Sequence, residues 1–161
     1  MSAGPTVRIL FAGDVVGSPG RRALLETTRR WLDQGRVDLV LANAENAAGG
    51  RGITLKLAQE LFDGGVAAIT LGDHAWDQRE LMEAAGRERR IVRPHNLAPG
   101  APGRGWTTID TPWGGLTVLN LLGRTFMHTP CDCPFRAADA LLRGGEALAR
   151  VKVLLTAGGI A

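Results

Sequence analysis

Three apolar runs, residues 7–11, 37–42 and 66–71, recur roughly 30 residues apart, and each stops at a small polar cluster. The clusters are Ala12-Gly13-Asp14-Val15-Val16-Gly17, Asn43-Ala44-Glu45-Asn46-Ala47-Ala48-Gly49-Gly50 and Leu71-Gly72-Asp73-His74-Ala75-Trp76-Asp77-Gln78. A fourth cluster, Arg93-Pro94-His95-Asn96, follows another apolar stretch. Short runs that are apolar almost throughout are strands covered on both faces, as in a parallel sheet. Open α/β sheets bind ligands outside the carboxyl ends of their strands, which is where these polar residues fall.

Helical patterns fill the gaps between the runs. Pro19 suits the first residue of a helix over 19–33, with Leu24, Leu25, Thr28, Trp31 and Leu32 as its apolar stripe. Thr54 can cap a helix that runs through Phe62 and closes at Gly64 and Gly65. A third helix is expected over 78–85. The order is βαβαβα, which implies right-handed crossovers. Residues 94–105 are rich in Pro and Gly and read as a long loop. Residues 106–110 and 116–120 form a strand pair around Pro112-Trp113-Gly114-Gly115, an antiparallel element that makes the sheet mixed. A helix over 135–149 and a strand over 151–155 follow. After them come Thr156-Ala157-Gly158-Gly159-Ile160-Ala161, so the α/β pattern is expected to break off before its next helix.

The 161 residues suit one domain, 1–161. A hydrophobic share of 45% beside 22% charged residues excludes wholesale disorder. Nineteen basic against 16 acidic residues give a net charge of only +3, so no nucleic-acid arm is indicated. Arg87-Glu88-Arg89-Arg90 reads as a solvated helix end. No apolar run approaches the ~20 residues of a membrane span, and no signal-peptide pattern opens the chain, so the expected compartment is the cytoplasm, with no membrane partner. Cys131 and Cys133 are too sparse for a zinc site, even with His128 nearby.

Carboxylates, amide oxygens and imidazole gathered at strand ends suit hard or borderline cations. Asp14 is either a metal ligand or an Asp that bonds its own turn. Glu45 can bridge two cations through its two oxygens and Asn46 can add a neutral one; the alternative is a polar capping loop. His74 can ligate, donate a proton or bind phosphate, or can cap a helix together with Asp73. Asp77 and Gln78 fit helix capping, whereas His95 and Asn96 suit either substrate contact or loop structure. Arg104 and Arg124 lie in Gly-containing loops, where a guanidinium can grip phosphate or simply be solvated. Gly13 and Gly17 do not make a dinucleotide-binding G-x-G-x-x-G spacing.

Taken together, Ile9-Leu10-Phe11-Ala12-Gly13-Asp14-Val15-Val16-Gly17-Ser18-Pro19-Gly20-Arg21 resembles the opening of the YmdB-like bacterial metallophosphoesterases, the 2′,3′-cyclic-nucleotide 2′-phosphodiesterases. Asn43 to Gly50 with Gly52-Ile53-Thr54, and Ile69 to Gln78, resemble their second and third motifs. Pro102-Gly103-Arg104-Gly105 and Cys133-Pro134-Phe135-Arg136 are similar to further segments. The resemblance runs over about residues 7–155. It implies a four-layer α/β/β/α sandwich, here without its C-terminal part, and a metal-dependent phosphodiesterase acting on cyclic nucleotides or related small phosphodiesters.

The same resemblance implies two metal ions, iron or manganese, sharing a bridging hydroxide as nucleophile. By position Asp14 and Asn46 would serve the first metal, Glu45 would bridge, Asp73 would serve the second, and His74 would protonate the leaving oxygen. Asp73 stands where the family pattern has Asn, so it adds a negative charge or orients His74 instead. The pattern also has three more histidines beyond the strand at 151–155. The three histidines here are His74, His95 and His128, none at those positions. The second reading is therefore a truncated or degenerate homologue without catalysis, a metal- or nucleotide-binding or interaction module that self-associates through an exposed sheet edge.

Overall fold

The computed structural model describes residues 6–144, 148–149 and 151–157. It contains two sheets. The first holds four parallel strands in the order β1 (Ile9–Ala12), β2 (Leu39–Asn43), β3 (Ala68–Thr70), β4 (Ile91–Val92). The second holds β5 (Trp106–Thr111), β6 (Gly114–Leu122) and β7 (Val151–Ala157), with β5 antiparallel and β7 parallel to the central β6. Helices α1 (Gly17–Asp33), α2 (Leu55–Asp63) and α3 (Arg79–Ala84) follow the first three strands, and α4 (Pro134–Arg143) precedes β7.

Side-chain alternation sorts these elements into four layers. Val40 and Ala42 of β2 turn toward the helices, in a core with Leu24 of α1 and Ala58, Leu61 and Phe62 of α2. Leu41, between them, turns the other way with Ala68 and meets Leu116, Val118 and Leu155 of the second sheet. Leu119 and Leu121 of β6 point outward again, onto Leu141 of α4. The order is α/β/β/α, and both faces of each sheet are covered. That coverage explains why β2 is apolar almost throughout.

Buried asparagines lock the two sheets together at the carboxyl edge of the first. Asn120, fully buried in β6, donates from Nδ2 to the carbonyls of Leu71 (2.7 Å) and Val92 (2.9 Å). Asn96 accepts from the Leu122 amide (2.8 Å) and donates to the carbonyls of Leu122 (2.9 Å) and Asp132 (2.7 Å). These bonds fix where β3 and β4 end, and so where the loops after them begin.

Several sequence expectations need correction. The first helix starts at Gly17, two residues before Pro19, because Gly17 takes a positive φ of 56° that turns the chain out of the β1 loop. The hairpin lies in a second sheet, facing the parallel one. Strand β4 is not anticipated by the sequence, since two residues are too short to show a period. The last helix was expected over 135–149 but ends at Arg143, capped by Gly144; 148–149 are not helical, and 145–147 lie outside the described residues. The expected break in the pattern falls partly on 158–161, which also lie outside them. Arg90 is not a solvated helix end: it pairs with Glu88 at 2.8 Å and lies over the Phe62 ring, 3.8 Å from its centroid. No described helix is long and apolar enough to cross a membrane.

Removing the Asn120 amide leaves the buried Leu71 carbonyl without that donor. Asn120→Ala is expected to cost about 1–3 kcal/mol of unfolding free energy in a urea titration.

Candidate metal centre at the strand ends

Asp14 ends the turn after β1 with φ +49°, a left-handed conformation that Asp tolerates better than most side chains. The turn is held against the second loop by backbone bonds from Val15 N to Asn43 O and from Gly17 N to Asn46 O, both 3.0 Å. In that geometry Asn46 Nδ2 donates to Asp14 Oδ1 at 2.7 Å. Arg21 of α1 fastens the far side of the loop, with NH1 donating to the Ala47 carbonyl at 2.6 Å.

Glu45 is buried, and its carboxyl group lies directly on Gly72. A Cβ at position 72 would fall inside that carboxyl group, so the glycine is a steric requirement of the glutamate in the preceding loop. Asn43 Nδ2 reaches Glu45 Oε1 at 3.4 Å. Burial, and next the negative charge of Asp73, push the Glu45 carboxyl above the usual carboxylate range, while the His74 backbone amide and Asn43 pull it back. Glu45 Oε2, Asn43 Oδ1 and Asn46 Oδ1 are buried without any hydrogen-bond donor.

His74 leaves the β3 loop half-buried, and its Nδ1 meets Asp77 Oδ2 at 2.9 Å. This corrects two expectations. Asp77 does not cap α3, whose N-cap is Gln78 with no side-chain bond, and the carboxylate on His74 belongs to Asp77 rather than Asp73. Gln78 instead ties the third loop to the second, donating to the Arg51 carbonyl at 3.0 Å. Asn96 is spent on the sheet lock described above.

The structure thus joins Asp14 to Asn46, and Glu45 to Asp73 and the start of the His74 loop. Among the described residues, no three His, Cys, Asp or Glu side chains converge into a metal-binding group by themselves. The donors present still fit a hard cation in kind: they are carboxylate and amide oxygens, and three of them are buried with no proton donor to satisfy them. Cys131 and Cys133 are both free of disulfides.

A sequence profile of the YmdB-like proteins matches residues 10–155. The chain belongs to this family. It is 42% identical over 136 residues to a 2′,3′-cyclic-nucleotide 2′-phosphodiesterase of Bacillus subtilis, a match spanning 84% of this chain and 51% of that protein. A crystal structure of a hypothetical protein from Thermus thermophilus is 38% identical with a TM-score of 0.84, over 94% of this chain and 59% of the other. A phosphatase structure from Mycoplasma pneumoniae is 26% identical with a TM-score of 0.83, over 94% and 56%. The chain therefore spans about half the length of the curated relatives it matches. These similarities establish the YmdB-like fold and membership of an enzyme family whose named members are phosphodiesterases and phosphatases.

Because Glu45 binds its proton more tightly folded than unfolded, folding takes up protons above the ordinary glutamate range of about 4.3. The metal-free chain should lose stability from this group as pH rises from about 4 toward 7. Urea titrations across that range should show Glu45→Gln flattening the loss and stabilising the metal-free chain near neutrality.

Proposed function

We propose that this chain carries part of the metal site of a phosphodiesterase acting on cyclic nucleotides or related small phosphodiesters. The observation that carries the reading is the Glu45 carboxyl group packed on Gly72, buried beside Asp73 with one oxygen lacking any donor. A buried carboxylate next to a second acid is unfavourable in a protein left alone. It becomes favourable with a cation between the loops. The family similarity supplies the reaction class.

In this reading Glu45 would contribute to both cations, Asp14 and Asn46 would hold one, and Asp73 would hold the other. Oxygen donors of this kind suit manganese or iron. When bound, such a pair supplies Lewis acidity and an activated water at neutral pH. The remaining work belongs to side chains of this chain. Asp77 Oδ2 lies 2.9 Å from His74 Nδ1 and orients the ring. That leaves Nε2–H as the proton given to the departing 2′-oxygen. Gly72 keeps the space that Glu45 occupies.

Calorimetric titration of the metal-free chain with Mn²⁺ tests the reading, alongside hydrolysis of 2′,3′-cyclic AMP. Wild-type chain should bind Mn²⁺, and Glu45→Gln and Gly72→Ala should each weaken that binding at least about 10-fold. Asp77→Asn should leave Mn²⁺ binding intact and lower kcat about 10- to 100-fold with little change in KM. Mn²⁺ binding without any hydrolysis would favour the non-catalytic binding module. Mn²⁺ binding that ignores Glu45 would overturn both readings.

A further inference from the structure

The segment between β6 and α4, residues 123–133, has no part in the site just described. Its two ends are bolted to one residue. Asn96 exchanges side-chain bonds with the backbone of Leu122 and donates to the Asp132 carbonyl, while the Asp132 amide returns a bond to Asn96 O at 2.8 Å. Asn96 lies in the loop after β4, the strand next to β3. The segment therefore borders the same carboxyl edge of the first sheet that carries Glu45 and His74.

Between these anchors the backbone does something unfavourable. Phe126 takes φ +59°, a left-handed conformation that a bulky aromatic residue rarely adopts, and its side chain is 98% exposed. The fold gains nothing from burying this ring, and the strain turns it toward solvent. Beside it, Arg124 lines two adjoining cavities. One, of about 470 Å³, also has Arg136 and Asp132 in its wall. The other, of about 310 Å³, also has His128 and Thr129. Among the described residues neither Arg124 nor Arg136 forms an ion pair, and both are exposed.

An exposed ring beside unpaired guanidiniums is how proteins hold single-stranded nucleic acid: the ring stacks on a base and the cations take the phosphate. A protein partner would instead favour a wide apolar surround; here Thr125 and Met127 flank the ring in the chain, and the adjoining cavity walls carry Arg124, His128 and Arg136. We infer that residues 123–136 form a subsite for a nucleotide strand, with Phe126 stacking on a base and Arg124 and Arg136 holding the adjoining phosphate. The inference rests on the phosphodiesterase reading and widens its substrate class, from a lone cyclic nucleotide to the end of a short strand whose next nucleotide lies on this loop.

The test is binding of the dinucleotide pApA to the 161-residue chain, measured by calorimetry in EDTA so that nothing is hydrolysed, with inorganic phosphate and adenosine as separate probes. pApA should bind more tightly than either. Phe126→Ala should weaken pApA at least about fivefold without changing phosphate binding, and Phe126→Trp should retain it. Arg124→Gln should weaken both pApA and phosphate and reduce the salt slope for pApA by about 0.7. Arg22→Gln, at an exposed position of α1, should leave pApA binding unchanged, which separates a subsite on this loop from general attraction to the basic surface. Three results would overturn the inference: Phe126→Ala binding pApA as the wild type does, Arg22→Gln weakening it as much as Phe126→Ala, or Phe126→Ala altering only the sedimentation of the chain. All three leave the phosphodiesterase reading standing; loss of Mn²⁺ binding and hydrolysis is what removes that one.

Discussion

A carboxyl group resting on a glycine is the contact around which the strand-end loops are arranged. Glu45 can be buried only because position 72 has no side chain, and Gly72 lies where it does only because β3 ends at Thr70 beside Asn43 of β2. The amide of Ala44 bonds to the Thr70 carbonyl at 3.1 Å, which carries the strand pairing into the loops. One step further, Asn120 of the second sheet holds the Leu71 carbonyl. A residue in the hairpin sheet thus sets the position of a carboxylate in the parallel sheet. The four-layer packing and the site are one mechanical system.

Electrostatics act on that frame in opposite directions. Burial and Asp73 disfavour a charged Glu45, while the His74 amide and Asn43 favour it. The fold leaves three buried oxygens without donors at this place, while the sheet-lock asparagines spend their side-chain amides on backbone carbonyls, Asn120 Oδ1 being left without a partner as well. Asp77 Oδ2, 2.9 Å from Nδ1, gives the His74 imidazole its orientation.

Much of this was legible in the sequence. Three apolar runs with polar ends gave the parallel sheet and its crossovers, and put Asp14, Glu45, Asn46, Asp73 and His74 just past the ends of its strands, because period is a local signal. Thr54 was a readable cap and does accept from the Leu57 amide, at 3.2 Å. Other features depended on distances the sequence does not carry. β4 was too short to show a period. Asp77 three residues after His74 fits a cap and a ring partner equally well, and only the loop path decides between them. Gly72 looks like any turn glycine until Glu45 is placed on it. Asn96 and Asn120 resemble loop and strand polar residues until two sheets are brought together. The overlong last helix was a misreading of an available signal, since Gly144 follows Arg143 where helices commonly stop.

Crystals of the chain soaked in Mn²⁺ and measured at the manganese absorption edge would show whether the Glu45 carboxylate and its neighbours hold a cation. If they do, an anomalous peak lies within bonding distance of a Glu45 oxygen, with Asp14, Asn46 or Asp73 among the other ligands. A peak at the Cys131 to Cys133 loop with none at Glu45, or no ordered peak while Glu45 stays packed on Gly72, would contradict the proposed metal site.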